Sequence, residues 1–197
     1  ADLMLGYYGE CLGERNPEVV EIAQSPIPAS TPGGFGTSFP AIDTPRANPR
    51  AVADAVGADR TALRLSPGET RQGLEEHDSP DVAATYAALN AGIAGLGLAY
   101  LHVLSFHPDS ELVQGIRRDF GGPFVINSGF EEVTTRAEAE RFLVEDLGDA
   151  VAVGRPLLAN PGLVRRWREG RELNTPDPAT FYTPGEVGYN DYPFLED

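Results

Sequence analysis

Short, nearly all-apolar runs alternate with segments of helical pattern from residue 51 to the end of the chain. Strands that are apolar on both faces and joined by helices are typical of a parallel sheet that is covered on both sides. The pattern predicts an α/β fold, and four such units fit either half of a closed barrel or a small open sheet. The predicted strands are residues 61–65, 98–104, 123–127 and 149–153, and the predicted helices are residues 80–96, 112–120, 136–147 and 162–169.

Local signals mark the ends of these elements. Ser79 is suited to cap a helix that has Pro80 at its first position, and Thr135 is suited to cap the third helix. Gly129 and Gly154 follow the third and fourth strands, where glycine ends the extended run. These signals set the predicted boundaries.

The first fifty residues follow a different pattern. Residues 2–11 could form a short helix and residues 19–23 a strand, but residues 25–50 show no sustained period. We expect residues 25–50 to form a long loop, and loops of that length are usually functional or mobile. The chain is therefore predicted as one domain, with an irregular segment at 1–50 and the regular α/β part at 51–197.

Composition narrows the class of partner. The net charge of −15 repels nucleic-acid phosphates and anionic lipid heads, so neither is expected as a partner. Cys11 is the only cysteine, which excludes an internal disulfide and a cysteine-based metal site, and no metal is predicted. No apolar run reaches the 18 or so residues of a membrane span, and the N-terminus lacks a signal pattern. The expected location is the cytoplasm.

Candidate binding residues lie where the predicted strands end. Ligands of parallel α/β folds bind at the carboxyl ends of the strands, where Arg64, residues 127–130 and the Gly154-Arg155 pair stand. Glycine allows close approach of a bound group to the backbone, and an arginine can grip a phosphate with two hydrogen bonds. The alternative is that Gly129 and Gly154 only turn the chain and that Arg155 is a surface charge.

Three segments carry a resemblance to a known family. They are GLAYLHV at 97–103, GPFVINSGF at 122–130, and the run at 149–193 that contains VGRPLLAN and GYNDYP. Together with the arginine-containing strand at 61–65, they resemble the old yellow enzyme family of FMN-dependent ene-reductases. The resemblance covers about residues 56–193 and implies the C-terminal, flavin-binding half of a (β/α) TIM-type barrel, incomplete in its N-terminal half.

The resemblance also implies a set of cofactor-binding residues. Arg64 would lie near the pyrimidine edge of the flavin, where a cation stabilises the anionic reduced ring; an ion pair inside the barrel is the alternative role. Phe130 and Tyr182 would line the flavin or the substrate cavity. Backbone amides at two turns, with the Arg155 side chain as countercharge, would hold the FMN phosphate. The phosphate-binding set comprises Ser128, Gly129, Phe130, Gly154 and Arg155.

The family's activity is hydride transfer between NADH or NADPH, flavin and an activated alkene or enone. In the family a His-and-Asn or His-and-His pair binds the carbonyl oxygen of this small-molecule substrate, and no H-x-x-H or H-x-x-N occurs in this chain. The tyrosine that protonates the substrate in many members is missing as well. The sequence therefore assigns no catalytic residue, and His102, inside an apolar strand, is expected to pack rather than to catalyse.

Two other functions remain open at this point. The chain could be a cofactor-free barrel subunit that acts as a binding or assembly partner in a biosynthetic complex, or a different enzyme, such as an isomerase or cyclase, on the same scaffold. A full barrel typically needs about 250 residues, and an incomplete sheet leaves open edges. We therefore expect a homo-oligomer or a second chain that completes the barrel.

Overall fold

Four parallel strands form the sheet of this protein. The computed structural model describes residues 43–68, 80–129 and 132–195, with the backbone alone for residues 43–48. The strands are hydrogen-bonded in the order β1-β2-β3-β4, so each strand lies beside the next one along the chain. This order is that of successive β-α-β units, as the sequence pattern predicts. The strands are β1 (Ala62–Leu65), β2 (Tyr100–Leu104), β3 (Phe124–Asn127) and β4 (Ala150–Val151).

Helices connect these strands and continue after the last one. Ser110 caps α3 by accepting a hydrogen bond from the Val113 amide, and Thr135 caps α4 in the same way through the Glu138 amide. The Thr135 cap confirms the prediction. No helix among the described residues is long and apolar enough to cross a membrane. The helices are α1 (Asp43–Val56), α2 (Pro80–Ile93), α3 (Glu111–Phe120), α4 (Arg136–Val144), α5 (Arg155–Ala159) and α6 (Leu163–Glu169).

The two faces of the sheet differ in burial. Leu101, Val103, Phe124 and Ile126 are fully buried, and they pack against apolar side chains of the helices on one face of the sheet. In the register, Arg64 pairs with His102, and His102 pairs with Val125, which places these three residues together on the opposite face. All three are only half-buried. The prediction of strands that are apolar on both faces is wrong, because the second face carries a cation and an imidazole. We call it the inner face.

Several predicted boundaries also need correction. Strand β4 comprises only Ala150–Val151 rather than residues 149–153, and β2 begins at Tyr100 rather than at residue 98. Helix α1 occupies Asp43–Val56, so the predicted loop is wrong for residues 43–50. Helix α5 was not predicted at all. The predictions for residues 2–11 and 19–23, the loop up to residue 42 and the Ser79 cap lie outside the described residues.

Candidate functional site

A cleft with a volume of about 160 Å³ opens at the carboxyl ends of the strands. Arg64 reaches it from β1, Gly129 from the turn after β3, and Gly154 and Arg155 from the turn after β4. The fold thus brings together four of the seven residues that the sequence assigns to cofactor binding. The rest of the lining comprises Leu104, Asn127, Glu132, Val133, Thr134 and Pro156.

The turn after β3 is tightly built. Gly129 has φ +108°, and a Cβ added there would lie 2.9 Å from the Phe106 ring, so a side chain at this position would clash as well as strain the backbone. The amide of Gly129 donates a 3.2 Å hydrogen bond to Oδ1 of Asn127. Between these two residues, Ser128 is 4% exposed, and its Oγ has no hydrogen-bond partner among the described residues. A buried hydroxyl of this kind is suited to a polar ligand, because leaving it unpaired costs free energy.

The turn after β4 is open, in contrast to the tightly packed turn after β3. Gly154 is exposed, and a Cβ built on it would meet no heavy atom within 4 Å other than those of its own chain neighbours. Its carbonyl oxygen accepts a 3.0 Å hydrogen bond from the Leu158 amide, and Arg155 begins α5 immediately afterwards. This lining glycine therefore leaves space beside the backbone, next to a half-buried arginine.

On the inner face, a charged and a neutral group stand side by side. Burial lowers the pKa of the Arg64 guanidinium, which still remains protonated at neutral pH because arginine titrates far above it. Burial and the positive charge of Arg64 lower the pKa of His102 to about 4, so this imidazole is neutral at pH 7. Nε2 of His102 is buried and has no hydrogen-bond partner within the described part of the chain. Of this pair, only Arg64 carries positive charge at neutral pH.

Of the other three assigned residues, the buried Ser128 lies in the turn after β3 and does not itself line the cleft. Tyr182 is 91% exposed, in the turns that follow Pro178–Thr180, and it does not line the cleft. Phe130 lies outside the described residues. The roles of both stay predictions. The sequence places Asn127 at this strand end but gives it no role in binding. The strand alternation carries the signal that it lines the cleft, because Asn127 follows Val125 by two positions and so lies on the inner face.

Comparison with known proteins gives the family. The family model described as NADH:flavin oxidoreductase / NADH oxidase matches residues 47–174. A probable flavin mononucleotide-dependent alkene reductase of Leishmania infantum is 36% identical over 148 residues, which are 74% of this chain and 39% of that protein. A 12-oxophytodienoate reductase-like protein of Solanum lycopersicum is 34% identical over the same shares. The chain thus spans about two fifths of the length of these relatives.

Solved structures agree with the sequence comparison. Morphinone reductase in complex with tetrahydroNAD is 36% identical and superposes with a TM-score of 0.68, over 80% of this chain and 43% of that one. The old yellow enzyme from Trypanosoma cruzi is 34% identical, with a TM-score of 0.65 over 80% and 42%. The fold is therefore the TIM-type barrel of the old yellow enzymes, of which this chain covers a part, and the predicted resemblance is confirmed. The chain belongs to the NADH:flavin oxidoreductase / NADH oxidase family.

Proposed function

We propose that this chain carries the flavin-binding part of an FMN-dependent oxidoreductase of the old yellow enzyme type. Its reaction is hydride transfer between NADH or NADPH, the flavin and an activated alkene or enone. The observation that carries the proposal is the convergence of Arg64, Gly129, Gly154 and Arg155 on one cleft at the carboxyl ends of the strands. Two of the relatives, a probable flavin mononucleotide-dependent alkene reductase and morphinone reductase in complex with tetrahydroNAD, support the same reaction class.

The residues of the cleft, together with Ser128 in the turn beside it, fit FMN. Ser128 offers a buried hydroxyl that lacks a partner among the described residues, and Gly154 leaves unfilled space at the turn after β4. The charged residues of the lining are Arg64, Glu132 and Arg155, two cations against one carboxylate. FMN brings a phosphate dianion and an electron-rich ring edge, and these are the two groups that separate arginines can bind. When bound, FMN supplies the redox chemistry of hydride transfer.

The residues of this chain bind the cofactor and orient it. In this proposal Arg155 and the backbone around Ser128, Gly129 and Gly154 hold the phosphate, because charge-assisted hydrogen bonds to phosphate are among the strong ones. Arg64 holds positive charge at the pyrimidine edge of the ring and so favours electron uptake there. Neutral His102 beside it adds no second charge to the inner face at pH 7.

The test is FMN binding by the purified protein and by matched arginine variants. We expect a yellow protein, and we expect Arg155→Ala to lose roughly 1–3 kcal/mol of FMN binding, which is about a 5- to 150-fold rise in Kd. Arg168→Ala, an exposed arginine of α6 that does not line the cleft, removes the same charge and should bind FMN as wild type does. A colourless protein without affinity for FMN would favour the cofactor-free subunit instead.

The proposal includes completion of the barrel. A TIM-type barrel has eight strands, whereas the sheet of the described residues has four. Each outer strand, β1 and β4, has a strand neighbour on one side only within that sheet. We propose that a second chain or a second copy covers these edges, as the sequence predicts, and sedimentation together with the intact mass tests it. A nicotinamide reductant is an intracellular metabolite, which supports the predicted cytoplasmic location.

A further inference from the structure

Helix α5 carries half of the proposed phosphate site but cannot hold its own position. It comprises only Arg155–Ala159, and a helix of one and a half turns is not stable by itself in water. Its first residue, Arg155, and the next, Pro156, both line the cleft. The geometry of the phosphate site therefore depends on whatever fixes α5 from outside.

Asn160 makes the contact that fixes the first turn of this helix. This side chain is 1% exposed, and its Nδ2 donates hydrogen bonds to the carbonyl oxygens of Pro156, at 2.8 Å, and Asn174, at 3.2 Å. Its Oδ1 accepts a 2.7 Å hydrogen bond from the Asn174 amide. One buried carboxamide thus joins the peptide that follows Pro156, next to Arg155, to the backbone of a distant segment.

That segment is itself anchored. Nδ2 of Asn174 donates to the carbonyl oxygens of Ala159, at 2.8 Å, and Pro193, at 3.0 Å. Arg166 of α6 is 5% exposed, and it donates to the carbonyl oxygens of Glu172, at 2.8 Å, and Pro193, at 2.9 Å. The backbone at residue 174 is therefore a fixed support, and Asn160 connects α5 to it.

We propose that Asn160 is a positioning residue for the cofactor phosphate: it holds the Gly154–Arg155 turn in the orientation that binds the phosphate group. The inference rests on the proposed FMN site. Asn160 does not line the cleft, so it acts through α5 and not by contact with the ligand. A binding group whose supporting contacts are lost becomes too loosely placed to bind well. The role is thus specific to the phosphate and leaves the ring-binding part of the site alone.

Riboflavin supplies the readout that separates positioning from general stability, because it has the ring of FMN but no phosphate. The ratio of riboflavin Kd to FMN Kd measures what the phosphate site contributes. We expect Asn160→Ala to lower that ratio about tenfold, which is the scale of one lost buried hydrogen bond. If the alanine variant does not fold, the nearly isosteric Asn160→Leu should show the same effect. Asn160→Ser should recover part of the ratio, since a serine hydroxyl can donate to the carbonyl four residues earlier, that of Pro156.

Asn174→Ala is the matched control. It removes a carboxamide of the same network, including its bond to Ala159 at the far end of α5, but leaves the Asn160 bond to Pro156, beside Arg155, and the backbone of residue 174 in place. Its ratio should stay near that of wild type even where its melting temperature falls. The inference is overturned if Asn160→Ala and Asn160→Leu weaken both flavins equally, or if Asn174→Ala lowers the ratio as much. Wild-type protein that binds neither flavin would overturn the proposed function and the inference with it, whereas equal binding of both flavins would overturn the phosphate site alone.

Discussion

The neutral histidine of the inner face makes stability depend on pH in a calculable way. His102 has a pKa of about 4 in the folded protein, lowered by burial and by the charge of Arg64, against an ordinary value of 6.5. Between these values the unfolded chain binds a proton that the folded protein does not, so stability is complete above pH 6.5 and is lost as the pH falls towards 4. At pH 5 the expected loss is at most about 2 kcal/mol, and below pH 4 at most about 3 kcal/mol.

The measurement is denaturant unfolding from pH 8 to pH 4.5 for wild type and His102→Gln. Acidic side chains are common to both proteins, so the difference between the two stability curves isolates the histidine. We expect wild type to lose stability more steeply than the variant below pH 6.5. His107→Gln, which removes an exposed histidine after β2, controls for the loss of a histidine as such.

Nuclear magnetic resonance gives an independent check, because the chain has only 3 histidines to assign. A His102 resonance that titrates near pH 6.5 would refute the reasoning. So would a difference curve that stays flat from pH 7 to pH 4.5, since it would mean that the imidazole is as well solvated in the folded protein as in the unfolded chain.

Three further predictions concern the core and the cofactor. Gly148→Ala places a Cβ 2.9 Å from Cγ2 of Ile126 and should destabilise the fold by about 1–3 kcal/mol in denaturant unfolding. Gly115→Ala is the control inside α3: its added Cβ would have its nearest neighbouring atom at 3.8 Å, and it should stabilise the fold by about 0.5–1 kcal/mol. Asn90→Ala should cost about 1–3 kcal/mol by the same measurement, because it breaks a buried 2.7 Å hydrogen bond from α2 to the Ile116 carbonyl oxygen; an unchanged midpoint would contradict this. Arg64→Met should lower the reduction potential of bound FMN more than its affinity in spectroelectrochemical and binding measurements, and an unchanged potential would indicate a structural ion pair instead.

The order of strands and helices could be predicted from the sequence because each element has its own local pattern. Helix α1 could not, since Pro49 lies inside it and proline normally interrupts a helix. Helix α5 was missed for another reason: its five residues are too few to show a helical period. The polar character of the inner face could not be predicted, because Arg64 and His102 are single residues within apolar runs. Only the register of the strands shows that they lie side by side.

One part of the candidate site could be predicted from the sequence and another part could not. Gly129 and Gly154 could be predicted to meet because the carboxyl ends of parallel strands lie at one edge of a sheet, and the cleft brings them together. The support given by Asn160 could not be predicted, because its bonds to residue 174 join positions that are distant in sequence and follow from no local pattern. Local patterns thus predict which groups could touch a ligand, while the contacts that hold those groups in place come from the tertiary fold.

The net charge of the whole chain and the charges that line the cleft act differently on an anionic ligand. A net charge of −15 opposes the approach of any anion, yet the cleft presents two arginines against one glutamate. At physiological ionic strength, charges more than about 8 Å away are largely screened, whereas a guanidinium in contact with a phosphate is not. In the proposed function, the distant acidic side chains therefore slow the encounter with an anionic cofactor more than they weaken the bound state, in which Arg155 would contact the phosphate. An acidic surface and the proposed phosphate site are compatible for this reason, since a net negative charge repels an extended polyanion more strongly than a small phosphate ester.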